Sequence, residues 1–197
     1  AAVSELEQRP LTTYQLAHEA YVVERHDLQQ AGGMQDQYAA AFGGFNFIEF
    51  HGEERVVVHP LRIRPDLCNE LHASLVLCHT GMRRKSGGIL RRQVDGYVGR
   101  SEPTVHALAA IKELAYEMKE ALLVGDLGRF ADGLDQGWQL KRDLATGITN
   151  DRLDDLYEIG RKAGAAGGKV LGAGGGGYLL LMCDPVRRAE VGAAMEA

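Results

Sequence analysis

Three stretches of the chain carry residue types suited to chemistry. Gln35-Asp36-Gln37 sets a carboxylate between two amides, after a Gly32-Gly33 break and before a run of small residues. A carboxylate held in this way can take a proton from a hydroxyl that comes within hydrogen-bond reach. The alternative is an Asp in a surface turn. Thr80-Gly81-Met82-Arg83-Arg84 follows a short apolar strand, and functional residues concentrate on loops held by such elements. Its arginines suit a phosphate or a developing negative charge through their planar fork of donors; the alternative is a helix-start turn with solvated arginines. Gly172-Ala173-Gly174-Gly175-Gly176-Gly177 is the third stretch. Glycine loses more backbone freedom on folding than any other residue, so a cluster this dense needs a reason. Close approach of backbone N–H groups to an anion such as phosphate is one. A strand-to-strand connection is the plainer alternative, although a hairpin needs only about two residues in special conformations.

Two familiar glycine patterns fit badly. Gly172-x-Gly174-x-x-Gly177 has the spelling of a dinucleotide-binding turn, but that turn must lead into a helix, and here an apolar strand follows. No Lys-Ser or Lys-Thr follows the glycines, so the P-loop spelling fails as well. A nicotinamide-dependent oxidoreductase is therefore the least favoured class.

The elements that must position these stretches follow from local signals. Thr12-Thr13-Tyr14-Gln15 reads as a capping box. Leu16, Ala20 and Val23 continue at helical spacing, which predicts a helix over 13–28 with Glu24 near its end. Phe45 to Phe50 and Arg55 to His59 read as two strands of a hairpin with a His51-Gly52-Glu53-Glu54 turn. A domain boundary is placed within 60–72, which divides the chain into 1–62 and 63–197. Residues 74–78 form a strand and 85–98 a helix. Over 104–124 an amphipathic helix carries Leu108, Ile111, Met118 and Leu122 on one face and stops at Gly125. Asp126 caps the next helix, with a stripe of Leu127, Phe130, Ala131, Leu134 and Trp138. Asn150 caps another, with Leu153, Leu156, Tyr157 and Gly160 along it. After the glycine loop come a strand at 178–183 and a last helix opened by Pro185. The fold class is α+β, with helices segregated to one face of a largely antiparallel sheet.

Composition narrows the classes further. At 197 residues the chain can hold one large or two small domains. Its formal charge of −5 argues against a nucleic-acid partner. Its apolar runs are too short to span a membrane, and it shows no signal peptide. Three widely spaced cysteines, Cys68, Cys78 and Cys183, fit free thiols in a reducing compartment. No Cys or His pair has zinc-ligand spacing, and the seven histidines are scattered.

The three stretches, taken in order, resemble motifs of the GHMP kinase superfamily of small-molecule kinases. The resemblance rests on Gln35 to Phe50, on Thr80-Gly81-x-x-Arg84-Lys85-Ser86-x-x-Ile89-Leu90, and on Gly168 to Gly177. It runs from about residue 12 to 185 and is nearest to the sugar kinases, above all those acting on D-glycero-D-manno-heptose 7-phosphate. It implies a fold in which residues 1–62 end a ribosomal-S5-like N-terminal domain and 63–197 form a ferredoxin-like C-terminal domain. It implies ATP and Mg2+ as cofactors, a sugar phosphate as substrate and a cytoplasmic location, and it is compatible with a homodimer. Position by position, it makes Asp36 the catalytic aspartate, Glu24 a magnesium ligand, and Gln35, Gln37, Thr80, Gly81 and Arg84 substrate-side residues. Gly172, Ala173, Gly174, Gly175, Gly176 and Gly177 become the loop that closes beside the nucleotide phosphates.

The departures set further expectations. The family's Pro-x-x-x-Gly-Leu-Gly-Ser-Ser phosphate loop is absent from these residues, as is the N-terminal sugar-gripping segment, and Leu28-Gln29 stands where relatives commonly have Leu-Gly. The chain looks like the C-terminal two thirds of such a kinase and is expected to be inactive by itself. The reading is ATP-dependent phosphorylation of a sugar phosphate at its anomeric hydroxyl. The alternative is a non-catalytic sugar-phosphate- or nucleotide-binding module of the same fold.

Overall fold

The structure is a computed structural model and describes residues 2–52, 55–82 and 87–196. The chain divides into two compact units, residues 1–62 and 63–197. Among the described residues no helix is long and apolar enough to cross a membrane.

The first unit holds α1 (Ala2–Leu6), α2 (Thr13–Val22), α3 (Gln35–Phe42) and a hairpin of β1 (Asn46–Phe50) and β2 (Val56–Pro60). The capping box at Thr12 forms as read: the Thr12 hydroxyl accepts from the Gln15 N–H, and the Gln15 side chain accepts from the Thr12 N–H at 2.9 Å. The helix expected over 13–28 is α-helical only to Val22. Val23–Asp27 is a π-helical turn, closed by the Leu28 N–H on the Val23 carbonyl at 3.0 Å. The chain stays wound, but one extra residue is accommodated, which turns the following side chains to a new face. Packing of α2 on α3 buries Ala17, Tyr21, Met34 and Tyr38, and Val58 of β2 completes this small core. β1 and β2 pair antiparallel with Ile48 opposite Val58. Glu53 and Glu54 of the expected turn lie outside the described residues.

The second unit opens with α4 (Pro65–Ser74), so the segment 60–72 contains a helix begun by Pro65 in its first turn. Next come β3 (Leu75–His79), α5 (Gly87–Val98), α6 (Glu102–Val124), α7 (Leu127–Arg142) and α8 (Asp151–Lys162). Finally β4 (Ala165–Val170), β5 (Tyr178–Cys183), a 3-10 turn (Pro185–Arg187) and α9 (Arg188–Glu196) complete it. Lys85 and Ser86, where the α5 helix was expected to begin, lie outside the described residues. Asp126 and Asn150 cap α7 and α8 as read, each side chain accepting from the backbone three residues on. The last helix opens with a 3-10 turn at Pro185 before its α-helical body.

The sheet order is β3-β5-β4, antiparallel throughout, with a register shift between Ala165 and Gly167. Its Leu179, Leu181 and Val170 join Trp138, Ile148, Leu153 and Val191 in one core, all fully buried. Leu77 and Tyr178, which fall on the alternate face of the pleat, are about half exposed. Where α7 meets β4, a Cβ on Gly167 would stand 1.9 Å from the Ala131 carbonyl oxygen. On α6 the buried residues are Thr104, Ala107, Leu114, Ala121 and Leu122. Leu108, expected on the core face, is exposed, while Ile111 and Met118 are half-buried.

Candidate functional site

In the first unit the chemistry gathers around one cleft of about 380 Å³, lined by Leu16, Ala20, Glu24, Asp36, Gln37, Ala40 and Ala41. α3 begins at Gln35, so Asp36 lies in the first turn of a helix and not in a surface turn. There the unpaired N–H groups and the helix dipole favour a carboxylate. Asp36 is exposed, and the Gln35 amide donates to its Oδ1 at 3.4 Å. Gln37 points the other way and is 6% exposed. Its Nε2 donates to Glu24 Oε2, while its buried Oε1 has no partner among the described residues. A buried acceptor left without a donor costs about 1–3 kcal/mol.

Glu24 comes from the π-helical turn. Its Oε1 accepts from Arg25 Nη1 at 3.1 Å, and its side chain is 38% exposed. The structure thus brings Glu24, Asp36 and Gln37 together in one cleft. No group of three or more His, Cys, Asp or Glu with metal-binding geometry occurs among the described residues. The two carboxylates of the cleft nevertheless match the habits of Mg2+, a hard ion that takes one or two carboxylates and completes its shell with water and phosphate oxygens.

In the second unit the glycine cluster, residues 171–177, connects β4 to β5. Much of its glycine content answers to its own packing. Gly174 (φ +99°) would put a Cβ 2.7 Å from the Ile148 carbonyl oxygen, and Gly176 (φ +150°) one 2.9 Å from that of Met82. The Gly175 and Gly177 N–H groups donate to those same two carbonyls, at 2.7 and 3.0 Å. The N–H groups of Gly172, Ala173, Gly174 and Gly176 make no backbone hydrogen bond among the described residues.

Thr80 is 1% exposed, and both its N–H (2.9 Å) and its hydroxyl (3.0 Å) donate to the Gly177 carbonyl. It fastens the glycine loop. Gly81 is exposed; its N–H donates to His79 Nδ1 at 3.3 Å. Arg84 lies outside the described residues.

The sequence reading passed over three cations that touch these segments. Arg152 Nε donates to the Thr80 carbonyl at 3.2 Å. The Lys141 ammonium donates to the Gly172 carbonyl. Burial, and then the charge of Lys169, lowers the pKa of Lys141 to about 8, and burial lowers that of Lys169. Arg25 is the third. Spacing gave no signal for Arg152 or Lys141, because their partners are backbone carbonyls distant in sequence, nor for Arg25, whose partners are its neighbour Glu24 and two carbonyls of the following loop.

Residues 118–197 match the model of the GHMP kinases C-terminal family. A D-glycero-alpha-D-manno-heptose 7-phosphate kinase from Campylobacter jejuni is 42% identical over 179 residues, 91% of this chain and 52% of that protein. The crystal structure of a D-glycero-D-manno-heptose 1-phosphate kinase from Bacteroides thetaiotaomicron superposes with a TM-score of 0.75 at 34% identity, over 99% of this chain and 52% of that one. Mevalonate kinase from L. major shares the fold, with a TM-score of 0.76 at 20% identity, over 99% of this chain and 57% of that one. The chain thus spans about half the length of the heptose phosphate kinases it matches, against the two thirds expected. Residues 118–197 thus match the GHMP kinases C-terminal family, and the chain shares the fold of heptose phosphate kinase structures.

Proposed function

We propose that the chain is part of an ATP-dependent kinase that phosphorylates a sugar phosphate, with heptose 7-phosphate as the acceptor and its anomeric hydroxyl as the nucleophile. The observation that carries this reading is the cleft shared by Glu24, Asp36 and Gln37. The similarity to two heptose phosphate kinases supports the choice of substrate class. In this reading residues 1–62 end the N-terminal domain of the kinase and 63–197 form its C-terminal domain. The two candidate sites lie on separate units, and each is assigned one half of the reaction.

On the acceptor side, Asp36 orients the attacking hydroxyl and accepts its proton as the new oxygen–phosphorus bond forms and the bond to the β-phosphate oxygen breaks. Gln35 and Gln37 hydrogen-bond the sugar. Glu24 would hold Mg2+, whose charge offsets that of the phosphates when it is bound. On the nucleotide side, the free N–H groups between Gly172 and Gly176 receive phosphate oxygens, and Thr80 keeps that loop in shape. Arg84 is assigned to the sugar or its phosphate. Such catalysis is mostly positioning and charge neutralisation. The chain alone, which lacks a Gly-Leu-Gly-Ser-Ser phosphate loop, is accordingly proposed to be inactive.

The test is Asp36→Asn in the full-length protein, assayed by ATP consumption with heptose 7-phosphate. Loss of a general base lowers kcat by about 10²–10⁴-fold, with the sugar KM changed only a few-fold. Undiminished turnover overturns the reading in favour of a non-catalytic binding module.

A further inference from the structure

Arg25 is adjacent in sequence to Glu24 and is the more buried of the two, with its side chain 11% exposed. Its guanidinium makes three contacts. Nε donates to the Gly33 carbonyl at 3.0 Å, Nη1 to the Ala31 carbonyl at 3.3 Å, and Nη1 also to Glu24 Oε1 at 3.1 Å. Two of these anchor it to the loop between the π-helical turn and α3. The planar fork has no freedom to follow the carboxylate; the carboxylate is held where the fork stands. Gly32 makes the arrangement sterically feasible, since a Cβ there would lie 2.5 Å from Arg25 Cζ. The other oxygen of Glu24 is held from α3 by Gln37, the neighbour of Asp36. The carboxylate is thereby tied from both sides, to the 31–33 loop by Arg25 and to α3 by Gln37.

We propose that Arg25 is a positioning residue: clamped on the 31–33 backbone, it fixes the orientation of the Glu24 carboxylate toward the cleft and so sets that carboxylate's affinity for a divalent cation. The π-helical turn is the local device that delivers it, because the inserted residue lets Glu24 and Arg25 follow α2 while both side chains turn toward the 31–33 loop and α3. This inference rests on the assignment of Glu24 as a cation ligand made above. A lysine at position 25 keeps the charge but loses the fork, so charge and geometry separate cleanly in one substitution.

The experiment uses the full-length protein, with Mn2+ binding followed by electron paramagnetic resonance in the presence of a non-hydrolysable ATP analogue. Steady-state kinetics are measured alongside. Partners that orient a metal's ligand are worth about 10–100-fold in metal affinity. Arg25→Lys should weaken Mn2+ binding by about tenfold and raise the Mg2+ concentration for half-maximal rate by a similar factor, with the sugar KM within twofold of wild type. Gly32→Ala, whose new Cβ displaces the guanidinium without removing it, should act in the same direction and serves if Arg25 variants fold poorly. Glu24→Gln separates the two ideas. If Glu24→Gln weakens Mn2+ binding while Arg25→Lys and Gly32→Ala bind like wild type, the role of Arg25 is overturned and that of Glu24 stands. If Glu24→Gln also binds like wild type, both fall.

Discussion

Gly174→Ala tests whether the glycine loop is glycine-rich for its own packing or for a ligand. At φ +99° an alanine carries a left-handed backbone penalty of about 1–2 kcal/mol. Its Cβ also lands 2.7 Å from the Ile148 carbonyl oxygen and 3.0 Å from Ile148 Cα. Ile148 is fully buried in the core, so it cannot retreat freely. Relief of the clash must lengthen the 2.7 Å hydrogen bond from the Gly175 N–H to that carbonyl, at a further cost of about 1–2 kcal/mol. Together the loss is about 2–4 kcal/mol, which lowers a urea midpoint by about 1–2 M at an m-value near 2 kcal/mol/M. Gly172→Ala is the control: φ is +68° there, but nothing lies within 4 Å of the new Cβ, so only the backbone penalty of about 1 kcal/mol applies. Trp138, the single tryptophan, sits in the same buried cluster as Ile148, and its fluorescence reports this unit alone. Equal midpoint losses for Gly174→Ala and Gly172→Ala would refute the packing account.

The lowered pKa of Lys141, about 8 against an ordinary 10.5, means that the unfolded chain binds this proton more tightly than the folded one. Protonation therefore opposes folding below pH 8, and the penalty, at most about 3 kcal/mol and less for the side chain's partial exposure, is relieved as pH rises toward 10.5. The wild type should gain stability relative to Lys141→Met between pH 8 and 10 in urea titrations, and parallel curves would count against the buried charge. Thr12→Ala removes one half of the capping box and should destabilise the first unit by about 1 kcal/mol, measured by far-UV circular dichroism in urea.

The helix starts at Thr12, Asp126 and Asn150 were legible because a cap is local chemistry, a side-chain oxygen meeting an N–H two or three residues away. The stop at Gly125 was legible for the same reason, its φ of +82° being left-handed. The π-helical turn was not, since Leu16, Ala20 and Val23 keep helical spacing into it and nothing in the residue types marks the insertion. On α6 the expected apolar stripe held at Leu122, which is buried, and at Ile111, which packs against the core, but not at Leu108, which is exposed. The face that packs is built of Thr104, Ala107 and Ala121 with Leu114 and Leu122, small residues that let neighbouring helices approach closely. A reading that weighs large hydrophobes more heavily selects Leu108 instead. The approach is close enough that a Cβ on Gly133 of α7 would lie 2.6 Å from Met118 Cγ.

The same distinction sorts the candidate site. Asp36 and Gln37 were visible because the chemistry of a carboxylate flanked by amides is written in residue types. That Gln37 reaches Glu24, and that Arg25 holds Glu24 from the other side, depends on how α2, the π-helical turn and α3 pack, which no spacing encodes. The glycine loop shows the converse. Its residue types were conspicuous, yet Gly174 and Gly176 face carbonyls of Ile148 and Met82 and not open space. The anion-binding role proposed for the loop accordingly falls to fewer groups than its composition advertises, the N–H donors of Gly172, Ala173, Gly174 and Gly176. Thr80, which no glycine pattern would have named, helps to hold the loop through two hydrogen bonds to the Gly177 carbonyl.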